Sequence, residues 1–169
     1  VFARELNSDF PRNIKGIDAY IIGVLRKMSY FAVPDGIYSA PSDLVKKIFT
    51  ASRSVNGFDE LVTACADKKY TSARVRRAIM ATVFGITASR VHKMPPYTCV
   101  LAANSVGREV LKGVKKKSNI DIITKPVRAL DASEETKNSF LFSKGIEDIL
   151  ALSAPNPRSC ELGKSPIVR

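Results

Sequence analysis

The sequence predicts a mostly α-helical protein with a small two-stranded parallel β-sheet, arranged as a helical bundle plus one βαβ unit. Two observations carry this. Before residue 87, four separate stretches place apolar residues at i, i+3, i+4 and i+7, the period of a helix with one buried face. Beyond it, two β-branched apolar runs, 97–103 and 120–124, flank a single helix-patterned segment. Strand, helix, strand at that spacing is a crossover joining parallel strands, expected to be right-handed.

The elements follow in order. Residues 1–16 are polar and broken by Pro11 and Gly16, so they read as a linker or as the tail of a preceding domain, with 17–168 forming the domain proper. The start, Val1-Phe2-Ala3-Arg4, is neither a signal peptide nor an initiation with Met, and reads as a cut from a longer chain. Ile17 to Met28 keeps helical spacing through Tyr20, Ile21, Val24 and Leu25, with Asp18 at its start and Arg26 and Lys27 at its end matching the helix dipole. Pro34-Asp35-Gly36 signals a turn within a 30–41 loop. Ser42 or Asp43 can cap a second helix to about Ser54, with Leu44, Val45, Ile48 and Phe49 inward, ended by Asn56-Gly57. Phe58 to Ala66 is a third, with Phe58, Leu61, Val62 and Cys65 inward.

A fourth helix starts at Thr71, whose hydroxyl can accept from a free backbone N–H, and runs to about Ile86. Val75, Ala78, Ile79, Thr82, Val83 and Ile86 form its buried face, which leaves Arg74, Arg77 and Ala81 opposite and Arg76 on the flank. Residues 87–96 are a second basic loop with Arg90, His92 and Lys93. Tyr97 to Ala103 reads as a buried strand, and Cys99 as core like Cys65. Ser105 to Lys115 is a helix with Val106, Val110, Leu111 and Val114 inward, and Ile120 to Thr124 is the second strand. Residues 126–140 are polar loop or short helix. Phe140 to Leu152 is helical, with Phe142, Ile146, Ile149 and Leu150 packing. The end, rich in Pro155, Pro157, Gly163 and Pro166, is irregular.

Composition points to an acidic partner. Lys and Arg number 27 against 16 Asp and Glu, a net charge of +11, and such an excess suits nucleic acid, an anionic membrane surface or acidic protein. Fourteen of the 27 fall within 66–93 and 108–128, seven in each, which favours a binding surface over general solubility. No apolar run is long enough to span a membrane. Cys65, Cys99 and Cys160 have neither metal spacing nor an even count, so a reducing cytoplasm is expected.

Self-contained catalysis needs a base, an anion cradle or a metal, and the sequence offers no Gly-rich phosphate loop, no nucleophile elbow and no Cys/His ligand pair. A lone His92 is a surface residue on this reading. The basic residues do have the composition of an RNA-backbone site: Lys68, Lys69, Tyr70, Thr71, Arg74, Arg76 and Arg77 at a helix start, where backbone amides and arginine suit phosphate, then Arg90 and Lys93. Lys115, Lys116 and Lys117 end the helix before the second strand, which also complements its dipole. Tyr70 and Tyr97 can stack on unpaired bases or be buried.

The motifs in order resemble a known family. Leu25-Arg26-Lys27-Met28-Ser29, Lys68-Lys69-Tyr70-Thr71-x-x-Arg74-Val75-x-Arg77, Val100-Leu101-Ala102-Ala103-Asn104-x-x-Gly107, Ile122-Ile123-Thr124-Lys125 and Ser165-Pro166-Ile167 are similar to segments of the C-terminal region of bacterial tRNA(Met) cytidine acetate ligases, a nucleotidyltransferase-like family. The resemblance covers residues 17–168. It implies a parent whose missing N-terminal domain activates acetate with ATP and acetylates the wobble cytidine of elongator methionine tRNA to N4-acetylcytidine. It implies tRNA and that missing domain as partners; with the residue readings above, no membrane, no catalytic residue, metal or cofactor in this fragment, and a cytoplasmic location are expected. The chain departs where Lys69 replaces an Arg, which keeps charge but loses a bidentate grip, and where Pro34-Asp35-Gly36-Ile37 replaces a Glu-Gly-Leu segment. The alternative from another class is a basic protein-interaction or scaffold domain without RNA ligand.

Overall fold

The structure is a computed structural model that describes residues 14–31, 36–91, 94–154 and 167–168. The chain divides into two compact units, Val1–Val91 with Ile149–Arg158, and His92–Asp148 with Ser159–Arg169.

The first unit is a helical bundle: α1 (Asp18–Met28), α2 (Ser42–Ser52), α3 (Phe58–Cys65) and α4 (Ser72–Val83). All four expected helices form, because the spacing of their apolar residues gives each a face that can be buried against the others. Ile21, Leu25, Leu44, Ile48, Leu61, Val75 and Ile79 sit in one core with no solvent exposure, and Cys65 joins them as expected. The helix ends are tied across the bundle. Arg26 donates from Nε to the Ser52 carbonyl (2.9 Å), an oxygen that the end of α2 leaves free, and from Nη2 to the Val55 carbonyl in the loop after it (2.8 Å). Arg53, just past α2, donates from Nη2 to the Ser29 carbonyl at the end of α1 (3.1 Å). Each helix end is thus closed by an arginine from the other.

Residues 14–16, within the stretch expected as linker, are structured together with Ile17. They form a 3-10 turn with Ile17 buried, and a side chain at Gly16 would begin 2.8 Å from the Ser153 Cα. The chain can pass Ser153 only because residue 16 has no Cβ. The rest of the linker expectation, the Pro34-Asp35 part of the turn, His92, Lys93 and Cys160 lie outside the described residues.

Helix α4 ends three residues earlier than its periodicity suggests. Gly85 takes a positive φ of 63°, the Gly85 N–H donates to the Thr82 carbonyl (3.3 Å) and the Ile86 N–H to the Ala81 carbonyl (2.8 Å). This is a Schellman stop, which folds the residue after the glycine back onto the last turn. It also corrects the placement of Ala81 on an outer face: Ala81 is buried.

The second unit is the βαβ motif. Strands β1 (Tyr97–Cys99) and β3 (Asp121–Ile123) pair in parallel, with Tyr97 opposite Asp121 and Cys99 opposite Ile123. Helix α5 (Ser105–Lys117) connects them, capped by Asn104, whose Oδ1 accepts from the Gly107 N–H (2.8 Å). The run expected as one buried strand is broken. Its second part, β2 (Ala102–Ala103), pairs in parallel with β4 (Ile167–Val168), so the end of the chain is not wholly irregular. Cys99 is exposed rather than core. Likewise Val106, Val110 and Val114 are exposed and no residue of α5 is buried, because strands of two and three residues are too short to cover a helix of this length. The unit's core is small: Ile123, Ala129 and Phe140, with Tyr97 and Ala132 against it. Helix α6 (Glu134–Ala151) begins earlier than expected, with Thr136 buried and its hydroxyl donating to the Pro96 carbonyl (3.2 Å). At its far end Ile149 and Leu150 belong to the first unit and pack on that unit's core.

Candidate nucleic-acid interface

The basic helix start is built by a closed loop. Asp67 Oδ1 accepts from the backbone N–H groups of Lys69 (2.8 Å) and Tyr70 (2.7 Å), and its Oδ2 accepts from Lys47 Nζ (2.7 Å). This Asx turn fixes residues 67–70 and directs Tyr70 inward, where it is 5% exposed. The Tyr70 hydroxyl then donates to Asp43 Oδ2 (2.6 Å), and Lys69 Nζ donates to the same oxygen (2.6 Å). Asp43 does not cap α2; it lies in the helix's first turn and its carboxylate serves Lys69 and Tyr70 instead. Those two donors, Lys69 first, hold its pKa down from 3.8 to about 2, and the Asp43 carboxylate in turn raises that of Lys69 to about 12. Asp67 is also lowered, chiefly by Lys47.

The cations singled out from sequence therefore fall into two kinds. Lys69 is paired with Asp43, and Arg76 Nη2 with Asp59 Oδ1 (2.9 Å) while its guanidinium stands over the Phe58 ring at 5.3 Å. Arg74 is half-buried, with its guanidinium 5.4 Å from the Tyr70 ring centre and its Nε buried without a hydrogen bond. Lys68 and Arg77 differ: both are exposed, and neither makes a hydrogen bond or ion pair among the described residues. Thr71 occupies the N-cap position in extended conformation, but its hydroxyl makes no cap bond. Tyr70 is too buried to offer a face to a base, which corrects its place among the RNA-binding candidates; Tyr97 is half-buried and meets Phe140 edge-on at 5.7 Å. Arg90 is exposed on a 3-10 turn, Ala88–Arg90. Lys115, Lys116 and Lys117 are exposed and, among the described residues, unpaired, and they belong to the second unit. Residues Lys68 to Arg77 are brought together by one loop and one helix start; the lysine run is a separate group.

Asp43 was not legible as part of this site, because an acidic residue in a helix's first turn already has a local explanation. A second feature was also missed. The Tyr38 N–H donates to the Ile86 carbonyl (2.8 Å), the Ala88 N–H to the Gly36 carbonyl (2.8 Å), and Ile37 bridges Thr87. These bonds pin the 36–40 loop beside the end of α4 and leave a cavity of about 500 Å³, lined by Tyr38, Phe58, Met80, Ala81 and Ile86 with Arg76 and Arg77. The Gly85 stop was the one available signal for it.

Among the described residues no cluster of His, Cys, Asp or Glu could hold a metal ion, and no helix is long and apolar enough to cross a membrane.

Comparison with known proteins places this arrangement. Residues 23–159 match the model of a family described as HIGH Nucleotidyl Transferase, a match that runs through both units rather than to a separately defined C-terminal region. A tRNA(Met) cytidine acetate ligase of Thermoanaerobacter sp. (strain X514) is 32% identical over 124 residues, 71% of this chain and 30% of that protein. One of Fervidobacterium nodosum is 30% identical over 129 residues, 74% of this chain and 30% of that protein. The crystal structure of Thermotoga maritima TmcAL bound with alpha-thio ATP (Form II) superposes with a TM-score of 0.82 at 19% identity, covering 99% of this chain and 44% of that one, which shows the shared fold. The chain spans about 30% of the length of the curated relatives it matches.

Proposed function

The chain belongs to the HIGH Nucleotidyl Transferase family, and from that premise we propose that it is the tRNA-binding part of an ATP- and acetate-dependent ligase that forms N4-acetylcytidine at the wobble position of elongator methionine tRNA. The names of its relatives support the reaction and the substrate. The observation that carries the binding role is the pair Lys68 and Arg77. Among the described residues they remain exposed and unpaired at a helix start where neighbouring cations are tied to aspartates. An unpaired guanidinium offers a bidentate grip on phosphate, and an unpaired ammonium adds a point charge. The exposed lysines of α5 add sequence-independent attraction.

Two glycine-bearing helix starts among the described residues offer no open cradle for the phosphates of ATP. The glycines at two helix starts, Gly57 and Gly107, have Asp18 Oδ2 at 3.1 Å and Asn104 Oδ1 at 3.2 Å from where a Cβ would stand. A carboxylate repels phosphate, and the Asn104 oxygen already takes the Gly107 N–H. This supports an ATP site in the part of the parent outside this chain.

Competition tests the reading against the protein-scaffold alternative. Elongator methionine tRNA should displace an acidic polypeptide of matched charge from the chain, and not the reverse. Preference for the polypeptide would transfer the site to a protein partner.

A further inference from the structure

The cavity beside α4 has features that a phosphate-binding helix start does not require. Its volume, about 500 Å³, lies in the range of ligand sites. Its walls are aromatic and apolar, from Tyr38, Phe58, Met80, Ala81 and Ile86, and its charged members are the exposed Arg76 and Arg77. The two arginines differ in state. Arg76 is held by Asp59 and lies over Phe58, whereas Arg77 has no partner among the described residues. Tyr38 keeps 47% of its surface exposed, although its backbone is fixed to Ile86. The next residue, Ser39, takes a positive φ of 57°, a conformation that costs free energy in a residue with a side chain and persists where surrounding structure imposes it.

From these features we infer that the cavity takes one unstacked nucleobase of a bound RNA, laid against Tyr38, while Arg77 grips a phosphate next to that base. The inference rests on the RNA-binding reading above and adds a base-dependent subsite to it. Charge complementarity selects this occupant. A purely apolar segment would leave Arg77 unpaired, and an acidic segment without a ring would leave the Tyr38 and Met80 walls uncovered. A nucleotide carries a flat heterocycle and an anion a few bonds apart, and single-stranded RNA is read by bases splayed onto aromatic side chains.

The test uses the chain as it stands and two probes of equal backbone charge: a short single-stranded RNA and the same backbone built from abasic residues. Binding of each to the unmodified chain, to Tyr38→Ala and to Tyr38→Phe is measured at one salt concentration, with a thermal melt of each variant. The subsite predicts that the RNA binds about tenfold more tightly than its abasic counterpart, the scale of one base–aromatic stack. It also predicts that Tyr38→Ala removes this preference without weakening abasic binding, and that Tyr38→Phe retains it. Equal binding of both probes to the unmodified chain would overturn the subsite and leave the phosphate-binding reading standing. A base preference that survives in a folded Tyr38→Ala chain would place the base elsewhere and overturn it too. Failure of both probes to bind at all would remove the subsite together with the reading it rests on.

Discussion

The Tyr70 hydroxyl donates to Asp43 Oδ2 over 2.6 Å, an oxygen that also receives Lys69 Nζ. One carboxylate at the start of α2 therefore fixes the loop that leads into α4, and it converts Tyr70 and Lys69 from surface candidates into supports. On the proposed reading, the phosphate-binding role falls to the cations this hub leaves free.

Asp43 makes stability depend on pH with a defined sign. Its pKa is lowered from 3.8 in the unfolded chain to about 2 in the fold by Lys69 and Tyr70. Its contribution is thus fully present above pH 3.8 and is lost as pH falls through about 2. Asp43→Asn should melt below the unmodified chain at about pH 7, and the two melting temperatures should converge as the pH approaches 2. A gap that stays constant over that range would show that the carboxylate's charge is not what matters.

Arg26 is a structural arginine. It serves two carbonyls, one at the end of α2 and one in the loop after it, and hydrogen bonds from a charged donor contribute roughly 1.5–3 kcal/mol each in the net. Arg26→Ala should destabilise by about 2 kcal/mol in a denaturant titration. Arg26→Lys should recover only part of this, since an ammonium cannot reproduce the fork. Affinity of the folded variants for tRNA should be unchanged.

Asp67, rather than the expected cap Thr71, accepts backbone N–H groups at the approach to α4. Because the Thr71 hydroxyl makes no cap bond, Thr71→Ala should change stability by no more than about 0.5 kcal/mol, as for an ordinary surface substitution. Asp67→Ala removes the acceptor of two backbone N–H groups and the partner of Lys47. It should lower the melting temperature clearly more than Thr71→Ala; the opposite order would restore the cap to Thr71.

The helical bundle was legible because each of α1 to α4 repeats apolar residues at helical spacing, and spacing reports burial whenever neighbouring helices exist to cover the face. The same rule misled at α5. Val106, Val110 and Val114 have the right period, but their own unit offers no surface broad enough to cover them. Cys99 fails for the same reason. The parallel pairing of β1 and β3 was legible from the β-branched runs and the helix between them. The pairing of β2 with β4 was not, because two-residue strands leave no pattern. Within the site, sequence locates the cluster Lys68 to Arg77 but not which cations are free. That depends on Asp43 and Asp59, which are distant in the chain and reach the cluster only through packing.

The central claim is that Lys68 and Arg77 are the working cations of the helix start, and one variant tests it most directly. Lys68→Ala combined with Arg77→Ala should leave the melting temperature within about a degree, since exposed unpaired charges contribute little to stability. It should weaken binding of elongator methionine tRNA at least about tenfold, with a shallower dependence on salt. Full-strength tRNA binding by a double variant that melts like the unmodified chain would contradict the account.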